Sequence, residues 1–385
     1  MTTPSVRAQR FTRLQLLNWL NFLRVDVALQ GRAFLIGPNA SGKSNMLDSF
    51  RFLHDLVAIG GGFQEAIKKR DGVSRIRCLA ARRYPDVKIS VAVGTTDHER
   101  IWEYELSFSQ DNRQRPYVKS EVVQHAGRQL LSRPDSEDNK DNERLRQTHI
   151  EQVNVNREFR ELADFFESIR YLHLVPQLVR DPERYVAKSR DPYGSDFLEQ
   201  VARTQERTRN ARLKRIADAL KVAVPQLMEL QFFRDEVKGT PHLRGRYEHW
   251  RPKGAWQNEA QFSDGTLRLL GLLWAVLDGT GPLLLEEPEL SLHTDVVRFL
   301  APMFASMQRR TGRQILVSSH SSDLIRDEGI GLNEVLLLKP DAEGTRVHVA
   351  TELAQVRALV EGGTPLPDAV LPETRPPRPQ QLALF

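Results

Sequence analysis

The stretch Gly37-Pro38-Asn39-Ala40-Ser41-Gly42-Lys43-Ser44 fits the pattern G-x-x-x-x-G-K-[ST], which constrains this chain more than any other feature. The pattern works only between a strand and a helix. An apolar run suited to a buried strand, Ala33-Phe34-Leu35-Ile36, precedes it, and Met46, Leu47, Phe50, Leu53 and Leu56 follow at helical spacing. Small Gly37 and Gly42 let backbone N–H groups wrap a phosphate, and the helix N-terminus adds its positive end. Lys43 is expected to reach the β- and γ-phosphates, and the Ser44 hydroxyl to hold Mg²⁺. Asn45, next in sequence, is counted with the nucleotide-binding residues. A plain glycine turn capping a helix does not account for the strand context. The chain is therefore expected to bind a nucleoside triphosphate.

A second cluster lies more than two hundred residues later. Leu283-Leu284-Leu285 is an apolar strand candidate running into Glu286-Glu287-Pro288-Glu289. A carboxylate at the end of a buried strand can coordinate Mg²⁺. The next one can polarise an attacking water at the γ-phosphate. Phe262-Ser263-Asp264-Gly265-Thr266 precedes this pair, and Ile315-Leu316-Val317-Ser318-Ser319-His320 follows it. Taken singly these signals are weak, since a lone Ser-Asp-Gly is usually a turn.

In this order they resemble the ABC-type ATPase heads of the SMC/RecF/OLD group, and more narrowly the stand-alone RecF-like AAA ATPases of phage-defence operons. The resemblance covers Phe11 to about Leu56 and about Gln261 to Leu338. It implies an α/β P-loop NTPase with two lobes, a mixed sheet, a helical insertion and no long coiled coil. It makes 262–266 the signature loop, with Ser263, Asp264 and Gly265 at the nucleotide held by the other protomer. Glu286 becomes the Walker B carboxylate and metal ligand, Glu287 the catalytic base, and His320 the switch histidine. Glu289-Leu290-Ser291-Leu292-His293 becomes the D-loop. Glu286 stands where Asp is more usual, one methylene longer. Glu-Glu pairs also occur in the OLD branch, so the site is not read as inactive. The Q-loop glutamine is Gln177, after the strand candidate Tyr171–Pro176, or Gln64, after a triple glycine, and either serves equally as a surface amide.

Composition sets the remaining bounds. The 385 residues suffice for one two-lobed head or two smaller domains, at ordinary hydrophobic (40%) and charged (27%) content. One cysteine, Cys78, rules out an intrachain disulfide framework or a multi-cysteine zinc site and is expected to be a small buried hydrophobe. No apolar run reaches the length of a membrane span, and residues 1–7 lack a signal-peptide core, so a cytoplasmic location is expected. The net charge of +5 suits a nucleic-acid partner. Two basic stretches are its candidates: Lys68-Lys69-Arg70 with Arg75, Arg77, Arg82 and Arg83, and Arg207, Arg209, Arg212, Lys214 and Arg215. The second lies on a helix whose apolar face is Leu213, Ile216, Leu220 and Val224. A solvated charged face explains such runs equally well.

Four segments are expected. An N-terminal ATPase lobe, 1–125, carries strands at 14–17, 33–36, 87–93 and 102–107. Segment 126–250 combines a polar, mobile loop at 133–142 with a mainly helical insertion from about Val155 to Leu230. A C-terminal lobe, 251–355, returns to the same sheet. A Pro-rich tail, 356–385, is extended beyond Gly362. The two signature and phosphate loops of one chain in this class do not face each other, so an isologous homodimer with ATP at its interface is implied.

Three functions compete. The first is an ATPase switch in DNA maintenance or anti-phage defence, read by DNA or by an effector such as a separate nuclease. The second is the ATPase part of an OLD-type nuclease, which needs a Toprim domain larger than the residues after Ser321 provide. The third is the energising subunit of a transporter, against which stand the form of 262–266 and its distance from the phosphate loop. Finally, Gln381-Leu382-Ala383-Leu384-Phe385 resembles the peptide by which bacterial repair proteins dock on the sliding clamp. There Leu384 and Phe385 would fill an apolar pocket and Gln381 a polar subsite.

Overall fold

Burial alternates along Arg10–Trp19 and Val87–Gly94, the pattern of strands with one face on a core. The computed structural model describes residues 9–81, 85–181, 191, 193–250 and 255–375. Its strands are β1 (Arg10–Trp19), β2 (Phe22–Ala28), β3 (Arg32–Ile36), β4 (Val87–Gly94), β5 (Trp102–Gln110), β6 (Pro116–His125), β7 (Arg128–Arg133), β8 (Arg170–Leu172), β9 (Leu227–Arg234), β10 (Pro241–Tyr247), β11 (Ala255–Asn258), β12 (Leu283–Glu286), β13 (Ile315–Ser319), β14 (Val335–Asp341) and β15 (Gly344–Val349). The chain divides into two compact units. The first comprises residues as far as Arg170, Thr280–Leu284, and from Phe304 onward; the second comprises Tyr171–Gly279 and Leu285–Met303.

The first unit contains an antiparallel sheet in the order β2-β1-β4-β5-β6-β7. It also carries a mixed sheet ordered β15-β14-β3-β13-β12-β8, in which β12 and β8 begin in this unit. β3 lies parallel to both β13 and β14, and β15 closes the edge antiparallel to β14. All five residues of β3 are buried, as a central parallel strand requires. The C-terminal lobe therefore does return to the sheet of the phosphate-loop strand. Phe11 on β1 packs against Phe50, Phe165 and Phe166 with ring centroids 4.8, 5.0 and 6.1 Å away. Buried Gln314 ties the layers together. It accepts from the Phe11 N–H (2.9 Å) and donates to the carbonyls of Phe11 (2.7 Å) and Gln30 (2.8 Å). Met46, Leu47, Phe50, Leu53 and Leu56 of the helix Lys43–Val57 are fully buried, and Cys78 is buried as expected.

Several expectations need correction. Residues 133–142 are not a mobile loop. Arg133 ends β7 and 136–140 form a helix capped by Asp135, which accepts from the N–H groups of Glu137 and Asp138. Arg133 and Asp138 are buried and joined by two 2.8 Å hydrogen bonds, while Arg133 also reaches Glu121 at 3.2 Å. Glu121 accepts in addition from Tyr104 and from the N–H groups of His149 and Ile150. A buried arginine needs such partners, and polarity of composition alone conceals them.

The insertion is less helical than expected. Its helices Arg160–Glu167, Phe197–Arg203 and Glu206–Leu220 are interrupted by β8, and β9, β10 and β11 form a separate antiparallel sheet in the second unit. The longest helices among the described residues have 15 residues, so none of them is a long coiled coil. The tail is not extended from Gly362: Leu366–Val370 is helical and Ala369 and Val370 are buried. Gln381, Leu382, Leu384 and Phe385 lie outside the described residues, as do Arg82 and Arg83.

Part of the first basic stretch is consumed by structure. The Arg70 side chain is enclosed against Asp48 (2.7 Å) and Asp55 (3.0 Å), and Lys69 pairs with Asp55 at 2.7 Å, whereas Lys68 and Arg75 are exposed. In the second, Leu213, Ile216 and Leu220 are buried as the spacing predicts. Arg209 stacks over Phe232, and Arg212 pairs with Asp278 at 2.8 Å.

Candidate nucleotide site

In the first unit, β3 ends at Ile36 and the loop 37–42 follows at once. Ala40 (φ 62°) and Gly42 (φ 92°) are left-handed, which turns successive N–H groups inward as an anion-binding nest. Side chains could not fit at the loop's glycines. A Cβ on Gly37 would lie 2.5 Å from Ser41 Oγ, and one on Gly42 2.2 Å from Asn21 Nδ2. Lys43 is buried and folds back over the loop, donating to the carbonyls of Gly37 (2.9 Å) and Pro38 (3.1 Å). Ser41 Oγ is buried with no hydrogen-bond partner among the described residues, a donor left available at the centre of the cradle. These features fit a bound phosphate chain. Register adds His320: Ser319 on β13 pairs with Ile36 on β3, so the histidine and Gly37 leave neighbouring parallel strands side by side. His320 is exposed.

One residue that the sequence did not mark organises this loop. Asn21, in the turn between β1 and β2, donates through Nδ2 to the Ser41 carbonyl (3.0 Å) and Thr345 Oγ1 (2.8 Å). Its Oδ1 accepts from Asn45 Nδ2 (2.8 Å), and its carbonyl accepts from the Thr345 N–H (2.8 Å). Asn45 thus acts on the loop through Asn21. Truncating Asn21 strips its side-chain bonds to Ser41, Thr345 and Asn45, keeps the backbone bond from Thr345, and opens space beside Gly42. We expect Asn21→Ala to weaken nucleotide affinity about tenfold, the scale of one or two lost hydrogen bonds, as measured by calorimetric titration. Affinity within a factor of two of the parent would show that the loop holds its shape without this clasp.

In the second unit, Ser263 is the N-cap of the helix Asp264–Leu277, its hydroxyl accepting from the Thr266 N–H at 3.1 Å. The loop 262–266 thus runs into a helix N-terminus, where the helix dipole is positive. Arg180 grips this loop from the helix Pro176–Arg180, donating to the Phe262 carbonyl (2.7 Å) and pairing with Asp264 at 2.6 Å. That pairing neutralises the one carboxylate in the loop. Burial lowers Arg268 below its ordinary range, opposed by the charges of Asp264 and Glu287.

β12 carries Leu283–Leu285 fully buried and ends at Glu286, as expected. Tyr171 donates its hydroxyl to the Glu286 carboxylate, a partner sequence reasoning passed over. Glu287 leaves the strand with φ 44°, a left-handed conformation that costs energy outside glycine and often marks function. Residues 289–293 turn on Ser291 (φ 62°), whose carbonyl lies 2.5 Å from where a Cβ on Gly265 would sit. The backbones of 262–266 and 289–293 therefore come close, and only glycine allows it. Of the two glutamines, Gln64 donates to the carbonyls of Arg146 (2.7 Å) and Pro116 (3.3 Å), whereas Gln177 is exposed on its helix.

Residues 32–327 match the family model described as AAA domain, putative AbiEii toxin, Type IV TA system. Solved SMC heads share the fold. The Pyrococcus furiosus head bound to the C-terminal domain of ScpA gives a TM-score of 0.53 at 11% identity, over 92% of this chain and 99% of that one. An SmcHead bound to the C-winged helix domain of ScpA gives 0.54 at 12%, over 88% and 96%. The Pyrococcus yayanosii head, with a coiled coil and joint, gives 0.51 at 11%, over 92% and 100%. No curated protein matches the sequence. At such identities the structural likeness speaks for the fold alone.

Proposed function

The chain belongs to the AAA family whose model spans residues 32–327, and from that premise we propose that it is an ATP-driven switch that dimerises around nucleotide. The observation that carries this is the loop 262–266, gripped at a helix N-terminus by Arg180 and closely approached at Gly265 by the Ser291 carbonyl, which supports reading it as the signature loop. A loop so built offers N–H donors outward, to a phosphate brought by a second copy. In this reading residues 37–45 hold ATP and Ser44 and Glu286 hold Mg²⁺. Glu287 takes a proton from the attacking water and His320 contacts the γ-phosphate. Ser263 and Gly265 contact the partner protomer's γ-phosphate, with the charge of Asp264 balanced by Arg180. Mg²⁺, when bound, screens the charge that develops on the phosphates.

The cycle is proposed to serve DNA maintenance or anti-phage defence through a separate effector, in the cytoplasm. Two of the similar SMC heads are themselves bound to parts of ScpA, which supports a surface that engages another protein. The terminal Gln381, Leu382, Leu384 and Phe385 are proposed as a dock for the sliding clamp. No helix among the described residues is long and apolar enough to cross a membrane.

The test is steady-state ATP hydrolysis with Mg²⁺, with and without single-stranded and duplex DNA. We expect slow basal turnover raised several-fold by one form of DNA. Turnover that rises linearly with protein concentration, with no cooperative onset, would argue against a dimeric site. Indifference to every DNA form would argue against the DNA-linked role.

A further inference from the structure

The sheet β11-β10-β9 has two unlike faces. On one side Leu230, Leu243 and Gly245 are buried, and Arg209 of the helix Glu206–Leu220 stacks over Phe232 at 4.1 Å. Strand pairing puts Phe233 opposite His242, Gln231 opposite Arg244, and Trp256 opposite Arg246, so these residues share the other face. That face is wet: Trp256 is 41% exposed and Phe233, His242 and Arg244 are half-buried. Aromatic rings normally turn inward on such a sheet, so two of them beside arginines call for an explanation.

They form one linked stack. The Arg244 guanidinium lies 4.6 Å from the Trp256 ring centroid and 5.3 Å from that of Phe233. Its Nε and Nη2 donate to Gln231 Oε1 at 3.2 and 3.0 Å, fixing its plane. The His242 ring stacks on Phe233 at 5.2 Å and 24°. Arg246 pairs with Glu229 at 3.2 Å, but no carboxylate among the described residues pairs with Arg244. Phe233 is thus flanked by His242 and Arg244, the His242 ring is held by buried Glu259 through Nδ1 (2.6 Å), and Trp256 keeps a solvent-facing side beside a guanidinium that no described carboxylate pairs.

We propose that this face is a stacking platform for single-stranded nucleic acid. A base carries a π-face that stacks on the open side of Trp256, and the backbone phosphates answer Arg244. A duplex hides its bases and fits such a seat less well. The proposal deepens the DNA-linked reading by naming the form of partner and its seat. It concerns unit-internal residues and does not need ATP, so its failure is separable from failure of the switch.

The test is fluorescence anisotropy of a labelled oligothymidylate of about 15 nucleotides, titrated with nucleotide-free full-length protein and repeated at higher salt. We expect binding that quenches tryptophan emission and weakens as salt rises. Trp256→Ala should weaken it about tenfold, and Arg244→Lys, which keeps the charge but loses the plane, severalfold. Thermal melting and basal ATP hydrolysis of both variants should match the parent, certifying their fold. No binding by the parent, equal binding by Trp256→Ala, or preference for a duplex of the same length would overturn the proposal. A face that binds protein instead would give the first of these results.

Discussion

Glu287→Gln should cut ATP turnover by about 10²–10⁴-fold, the scale lost with a general base, while leaving nucleotide binding intact. Gln has the same length and branching as Glu, so the left-handed backbone at this position (φ 44°) is asked to bear nothing new. Only the proton acceptor is removed. With hydrolysis blocked, ATP should hold two protomers together, and light scattering after size exclusion should report a species of twice the apo mass. Phosphate release measured alongside separates slow chemistry from lost binding. If Glu287→Gln with ATP and Mg²⁺ eluted as the apo protein does, the sandwich would be in trouble. Lys43→Ala serves as the contrast, because it should lose binding and dimer together.

The largest stability effect is expected at Arg133. Its guanidinium and the carboxylates of Glu121 and Asp138 are wholly enclosed. Asp138 is held well below the usual carboxylate range, first by its hydrogen bonds from Arg133, whereas burial pushes Glu121 up despite its four donors. Arg133→Met leaves enclosed Glu121 without its cation and Asp138 with only Arg144 at 3.1 Å, and breaking such a buried pair typically costs about 3–5 kcal/mol. Urea denaturation of the first unfolding transition should show it. Adding Glu121→Gln and Asp138→Leu to Arg133→Met should recover much of the loss, since the charges then vanish together.

The same cluster governs acid sensitivity. Burial, and next the charge of Arg133, push His149 down to about 4. A histidine kept neutral in the fold contributes stability that is intact above its unfolded value near 6.5. That stability is lost progressively as pH falls from there toward about 4. Denaturation series across this window should therefore slope downward in the parent and flatten in His149→Gln. A parallel slope in both would remove His149 from the account.

Much of the chemistry was legible in the residues. The phosphate loop, its flanking strand and helix, the strand Leu283–Glu286 and the strand before His320 all announce themselves locally. Each rests on a short run of apolar residues or a glycine whose conformation neighbours alone dictate. Five features were not legible. The clasp of Asn21 on Ser41 depends on a β-turn meeting a loop through two separate sheets of one unit. Arg180, Tyr171 and the Gly265–Ser291 contact likewise join residues far apart in sequence. The polar run 133–142 looked like solvent-exposed chain because its partners, Glu121 and the carbonyls of Arg144 and Gln147, lie outside it. Periodicity and motif spacing report what a residue's neighbours in the chain require. Whether a charge is buried and paired, or a side chain braces a loop, depends on which distant residues folding brings against it, and that the tertiary structure alone decides.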